Sequence, residues 1–214
     1  ANNGEKIPPF GFQNVQISFV IVIDENVKYQ RISDVREDDA RYYILPREIG
    51  RTSGIAPNSL WDNAQYVLAY SKKDTKKEKE RAIECNKSFI KKCKELSFEY
   101  PNNIGLRSIV SFYENDGINC VMNDTQWEDI KALCSGTKTI NFTFQLNGEL
   151  SLIAENDSLG NIYEPQEGDN ICLVSGIRGK LVELTGRSPI NGSKATSSLV
   201  AVQESSGYDS YGKG

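Results

Sequence analysis

The sequence predicts an α+β fold with mixed, mainly antiparallel sheets, one long helix and several short ones, arranged in two subdomains. Three patterns carry that reading. Residues 17–23 form a seven-residue apolar run, suited to a buried strand and far too short to cross a bilayer. Residues 76–98 place apolar side chains at helical spacing with lysines opposite them. Residues 140–147 alternate apolar and polar up to Asn147-Gly148, the pattern of a strand running into a tight turn.

Taken in order, residues 16–24 read as a central strand, and Glu25-Asn26 as a hairpin turn into a second strand at 28–32. A third strand at 41–45 leads to Pro46. Pro57, Asn58 and Ser59 form the entry to a short helix over 60–70, whose apolar stripe is Leu60, Ala64, Val67 and Leu68, with Asp62, Asn63 and Gln65 off it. The long helix buries Ala82, Ile83, Asn86, Phe89, Ile90, Cys93 and Leu96 and stops before Pro101. Another short helix covers 106–113. The polar stretch 115–123 marks a boundary, dividing a strand-rich subdomain (1–115) from a second α+β subdomain (116–214). The latter is expected to hold a helix at 125–133, the strand at 140–147, a return strand at 149–154, and short strands at 171–174 and 180–184. Residues 186–213 are dense in Ser, Gly and Asn and hold one apolar run at 199–202.

Composition excludes several kinds of chemistry. The 214 residues suffice for a real core, with 38% hydrophobic and 25% charged side chains. There is no histidine, which removes Ser-His-Asp and Cys-His nucleophilic sites and histidine metal centres together. Five scattered cysteines, an odd number, fit neither a disulfide framework nor a zinc knuckle and read as small buried hydrophobes in a reducing cytoplasm. The adjacent pair Asp38-Asp39 reads as a solvated loop, and no phosphate-binding glycine motif is present. The five N-x-S/T triplets read as chance in an Asn-rich chain. No enzyme activity, metal or cofactor is expected.

Charge is unevenly spread. The chain is acidic overall, at −4, yet residues 72–94 carry ten basic and four acidic side chains. Such a stripe neutralises phosphates, or else is the solvated, salt-bridged face of a helix. A second basic stretch, with Arg178, Lys180 and Lys194, reads as a backbone-contacting loop or as ordinary connection.

The block RTSGIAPNSLWDNAQYVL, residues 51–68, combines a donor-rich loop with a helix entry. By local chemistry alone it reads more readily as a capped surface turn than as a nucleic-acid contact. It closely resembles a segment of the large subunit of type I-C CRISPR Cascade, the surveillance complex that carries a guide RNA. PPFGFQNVQISFVIVID (8–24), GDNICLVSG (168–176) and SSLVAVQESSGYDSYGK (197–213) match that family in the same order, so the likeness spans almost the whole chain. It implies the N-terminal part of that subunit.

The resemblance implies a cytoplasmic, non-enzymatic module that recognises the protospacer-adjacent motif in double-stranded DNA and aids duplex opening. Its partners would be target DNA, the guide RNA complex, other Cascade subunits and a helicase-nuclease recruited later, with no membrane. Asn58 is the expected base reader, since its amide offers both a donor and an acceptor. Arg51, Thr52, Ser53, Gly54 and Asn63 complete the expected loop contacts, and Lys72 and Lys73 are assigned to the DNA backbone. The alternative is a protein-interaction scaffold of the same complex, with DNA readout elsewhere.

Overall fold

The computed structural model describes residues 8, 11–24, 28–36, 42–49, 51, 54–155, 170–171 and 178–179. The fold is mixed α+β, as the sequence predicts, and most strand pairings are antiparallel. The expected strand at 16–24 is divided, with Gln16 ending one strand and residues 19–23 forming the next. β1 (Phe12–Gln16) pairs antiparallel with β4 (Tyr42–Pro46), while β2 (Phe19–Ile23) joins a four-stranded sheet. The division falls at Ile17-Ser18, where the Ser18 N–H donates to Asn141 O at 2.9 Å.

The larger sheet has the order β3-β2-β6-β5, with β3 at Tyr29–Asp34, β5 at Trp61–Asn63 and β6 at Asn141–Leu146. All five residues of β2 are buried, as a strand flanked on both edges and covered on both faces requires. It runs parallel to β6, which sets Phe19 opposite Phe142 and Ile21 opposite Phe144. The Phe19 and Phe142 rings stack at 5.4 Å. Because β6 lies between β2 and β5, the chain on both sides of residue 115 shares one sheet and one core, so the sheet is unbroken at the expected boundary.

The helices are α1 (Ala64–Val67), α2 (Lys76–Glu99), α3 (Ile104–Glu114), α4 (Gly117–Met122) and α5 (Trp127–Cys134). α2 begins with a capping box: the Thr75 hydroxyl accepts from the Glu78 N–H, and an acidic side chain stands three residues after the cap. Its buried face is Ala82, Cys85, Asn86, Phe89, Cys93 and Leu96, close to the predicted stripe, but Ile83 falls beyond the edge of that face and is exposed. Asn86 is buried because its Nδ2 donates to the carbonyls of Tyr66 and Val67, tying α2 to the end of α1. Phe112 of α3 meets Phe144 edge-on at 5.5 Å and carries the helices onto the sheet.

Three local expectations are corrected. Residues 60–70 do not form one helix: Trp61–Asn63 is strand β5, because Leu60 turns the backbone into the left-handed region (φ 66°) and the chain then pairs with β6. α4 occupies the polar stretch read as a boundary. The expected return strand at 149–154 reduces to a single bridge between Gln145 and Leu152, followed by a 3₁₀ turn at Ile153–Glu155. Of the later strands, the described residues form β7 (Asn170–Ile171) and β8 (Arg178–Gly179), which pair antiparallel. Asp38, Asp39, the turn at Glu25-Asn26, Cys172 and residues 181–214 lie outside the described residues. Cys85, Cys93 and Cys134 are buried, but Cys120 is exposed, contrary to the expectation for all five.

Candidate nucleic-acid interface

The loop between β4 and β5 is held by side chains that sequence reading points outward. Asp62 is the hub. Only 1% exposed, its carboxylate forms a two-pronged ion pair with the Arg51 guanidinium and accepts the N–H groups of Asn58 (2.9 Å) and Asn63 (2.8 Å). Four donors on one buried carboxylate satisfy a charge that would otherwise be costly to desolvate. The sequence places Asp62 off the apolar stripe, yet it is buried because this loop folds over it.

Arg51 also donates from Nε to Ala56 O at 2.5 Å and lies over the Tyr66 ring at 4.2 Å. The Asn58 Oδ1 accepts from the Ile49 N–H at 2.9 Å, closing the base of the loop, and Trp61 Nε1 donates to Pro46 O at 2.7 Å. From α2, Lys92 reaches across to donate to Pro57 O at 3.1 Å. Burial lowers the Lys92 pKa, and the neighbouring Asp62 carboxylate opposes that shift. Burial likewise raises the Tyr66 phenol, against the pull of Arg51. The result is a loop braced from beneath. At Gly54 a Cβ would meet nothing within 4 Å, so this glycine borders open space.

This geometry divides the predicted site residues into two groups. Arg51 and Asn58 face inward: Arg51 is committed to Asp62, Ala56 and Tyr66, and Asn58 is 2% exposed. Their contacts make them the frame of the loop. Gly54 is exposed, and Thr52 and Ser53 lie outside the described residues. Asn63, Lys72 and Lys73 come together in a pocket of about 250 Å³ beside the start of α2, which Gln65, Tyr70, Glu78 and Cys134 also line. The Asn63 Oδ1 caps α1 by accepting from the Gln65 N–H at 3.0 Å. Lys72 donates to Gly136 O at 3.0 Å, and the Tyr70 hydroxyl is bonded to Ser135 Oγ at 2.8 Å. Burial pushes the Cys134 thiol up to about 11, with Lys72 opposing. Of the second group, Arg178 is exposed on β8, while Lys180 and Lys194 lie outside the described residues.

The lysine face of α2 is partly self-paired. Lys76 meets Glu80, Lys79 meets Asp74, Lys91 meets Glu95 and Lys94 meets Glu114, all at the surface, where such pairs hold weakly. Lys73, Lys77 and Lys87 are exposed and make no ion pair among the described residues. Gln65 is the residue that sequence reasoning missed. Its position two residues past the Asn63 cap is the signal that places its side chain at the same pocket. Among the described residues, no cluster of three Cys, Asp or Glu is arranged to hold a metal, and no helix is long and apolar enough to cross a membrane.

A family profile described as CRISPR-associated protein (Cas_Csd1) matches residues 1–214. The chain belongs to this CRISPR-associated family. No curated protein matches it. Family membership agrees with the resemblance of the sequence blocks at the level of a CRISPR-associated protein, and implies contact with other components of a CRISPR complex.

Proposed function

We propose that this chain is part of the large subunit of a type I-C CRISPR surveillance complex, where it recognises the protospacer-adjacent motif in double-stranded DNA and aids duplex opening. The work is binding, done in the cytoplasm alongside the guide RNA complex and ahead of a recruited helicase-nuclease. The observation that carries this reading is the pocket shared by Asn63, Gln65, Lys72 and Lys73 next to the braced loop. The two lysines suit phosphates, and planar amides suit base edges, which is the division of labour that sequence-reading interfaces use. Bracing by Asp62, Arg51 and Lys92 fixes the neighbouring loop, so little ordering cost remains on binding.

We favour Gln65 over Asn58 as the base reader. Asn58 holds the loop closed, so its replacement would disturb the fold as well as any contact, whereas Gln65 is part-exposed and its side chain is outside the brace. The test is binding of the assembled complex to motif-bearing and scrambled duplexes across a salt series. Gln65→Ala should weaken the motif duplex selectively. Replacing Lys72 and Lys73 with alanine should weaken both duplexes and flatten the salt slope by roughly 0.9 per lost contact. An unchanged salt slope defeats the phosphate assignment. The scaffold reading is favoured by a different feature, the cleft at the other end of α2.

A further inference from the structure

The largest cleft among those described, about 590 Å³, lies at the carboxyl end of α2, where the chain turns into α3 and meets the end of β6. Tyr100, Ile104, Leu146, Leu152 and Ile153 supply the apolar half of its lining, and Glu99 and Glu149 belong to a polar half of equal extent. Gly105 packs closely in its wall: a Cβ there would come within 2.8 Å of Ile153 Cγ2, so a larger residue would have to displace the Ile153 side chain. Ile104 is 43% exposed, and Leu150, between two lining residues, is 98% exposed. Isolated exposed apolar residues are ordinary. Two at the border of a cleft with an apolar half form the kind of surface that partners cover.

Charge decides between kinds of partner. Glu99 and Glu149 are exposed and make no ion pair among the described residues. Carboxylates there repel phosphates, so the cleft disfavours nucleic acid and anionic lipid alike. They complement a basic group adjoining an apolar anchor. The cleft also lies about 36 Å along α2 from the lysine pocket, at 1.5 Å per residue over 24 residues.

We propose that this cleft docks a segment of another protein subunit of the CRISPR complex, one that inserts an apolar side chain and sets Lys or Arg against Glu99 and Glu149. The proposal rests on family membership and is independent of the DNA-binding assignment. It is tested in the reconstituted complex. Reversing both charges (Glu99→Lys with Glu149→Lys) should weaken retention of this subunit by the other protein subunits about ten-fold or more, as should Leu150→Ser with Ile104→Ser. Glu99→Gln with Glu149→Gln, a milder change at exposed positions, should have an intermediate effect. Far-ultraviolet circular dichroism of each purified variant verifies that it is folded. A photocrosslinker in place of Ser151 should join to a protein subunit at an apolar residue flanked by Lys or Arg. Wild-type retention of the folded variants overturns the proposal. So does a crosslink to DNA, to guide RNA, to a second copy or within the same chain. Loss of DNA binding on substituting Lys72 and Lys73, with retention intact, would separate the two readings.

Discussion

The two ends of α2 present opposite chemistries. At the amino end Lys72 and Lys73, with Glu78, line one pocket; at the carboxyl end Glu99 and Glu149 line another, with no base among its lining residues. This is the reverse of what the helix itself favours. Its dipole stabilises acids near the amino end and bases near the carboxyl end. Yet the first turn of α2 carries Lys76, Lys77 and Lys79 against Glu78 alone, and the last turn holds Glu99 and no base. Side chains placed against the dipole work against the stability of the isolated helix. The partners proposed above, negative at one end and positive at the other, would account for this arrangement.

The brace near the amino-end pocket gives the largest test. Asp62→Ala would leave a half-buried guanidinium without its counterion and should cost about 3–5 kcal/mol in urea unfolding. A loss below about 1 kcal/mol would mean that the ion pair does not hold the loop. The next effect distinguishes the ends by pH. Cys134 lines the amino-end pocket, and its thiol is raised from the ordinary value of 9 to about 11 by burial. An acid whose folded pKa is raised keeps its stability contribution below the unfolded value and loses it as pH climbs through the folded one. Stability should therefore fall between pH 9 and 11, by about 3 kcal/mol at most from this group. Cys134→Ala should flatten that slope, leaving the part due to buried Cys93, which burial raises to about 12. An identical slope in the variant would remove Cys134 as its source.

The smallest effect is also the sharpest, because its sign is opposite for folding and for function. Glu99→Lys should stabilise the isolated chain by about 0.3–1 kcal/mol through the helix dipole while weakening docking. Lys77→Glu should likewise stabilise the chain while weakening DNA binding. Thermal melts beside the two binding assays read both signs. Destabilisation by both substitutions would show that these charges serve the fold.

The sequence showed α2 almost to the residue because a long amphipathic pattern needs no partner to be seen. Residues 60–70 were harder. Leu60, Ala64, Val67 and Leu68 are all buried, as their spacing predicts, but the first lies in a left-handed turn and a three-residue strand intervenes before α1. Apolar periodicity reported which side chains are inside without reporting the backbone that puts them there. The candidate site divides in the same way. Lys72 and Lys73 stand out as local charge, and Asn63 as part of a recognisable block. Asp62 does not, because its ion pair spans eleven residues and its link to α2 runs through Pro57 and Lys92, thirty-five apart. The cleft was invisible for a similar reason: its walls come from α2, α3 and the end of β6.

Leu60 makes two demands that no single amino acid meets. Its backbone angle suits glycine or asparagine, while its fully buried side chain suits a branched aliphatic. Glycine would relieve the backbone and empty part of the core; valine or isoleucine would fill the core and worsen the turn. A mutational scan of this loop would find the position nearly closed to replacement although it lies beneath the surface. Intolerance at residue 60 would then measure the difficulty of turning the chain there, and a map of intolerant positions would overstate the size of the binding site by at least this one residue.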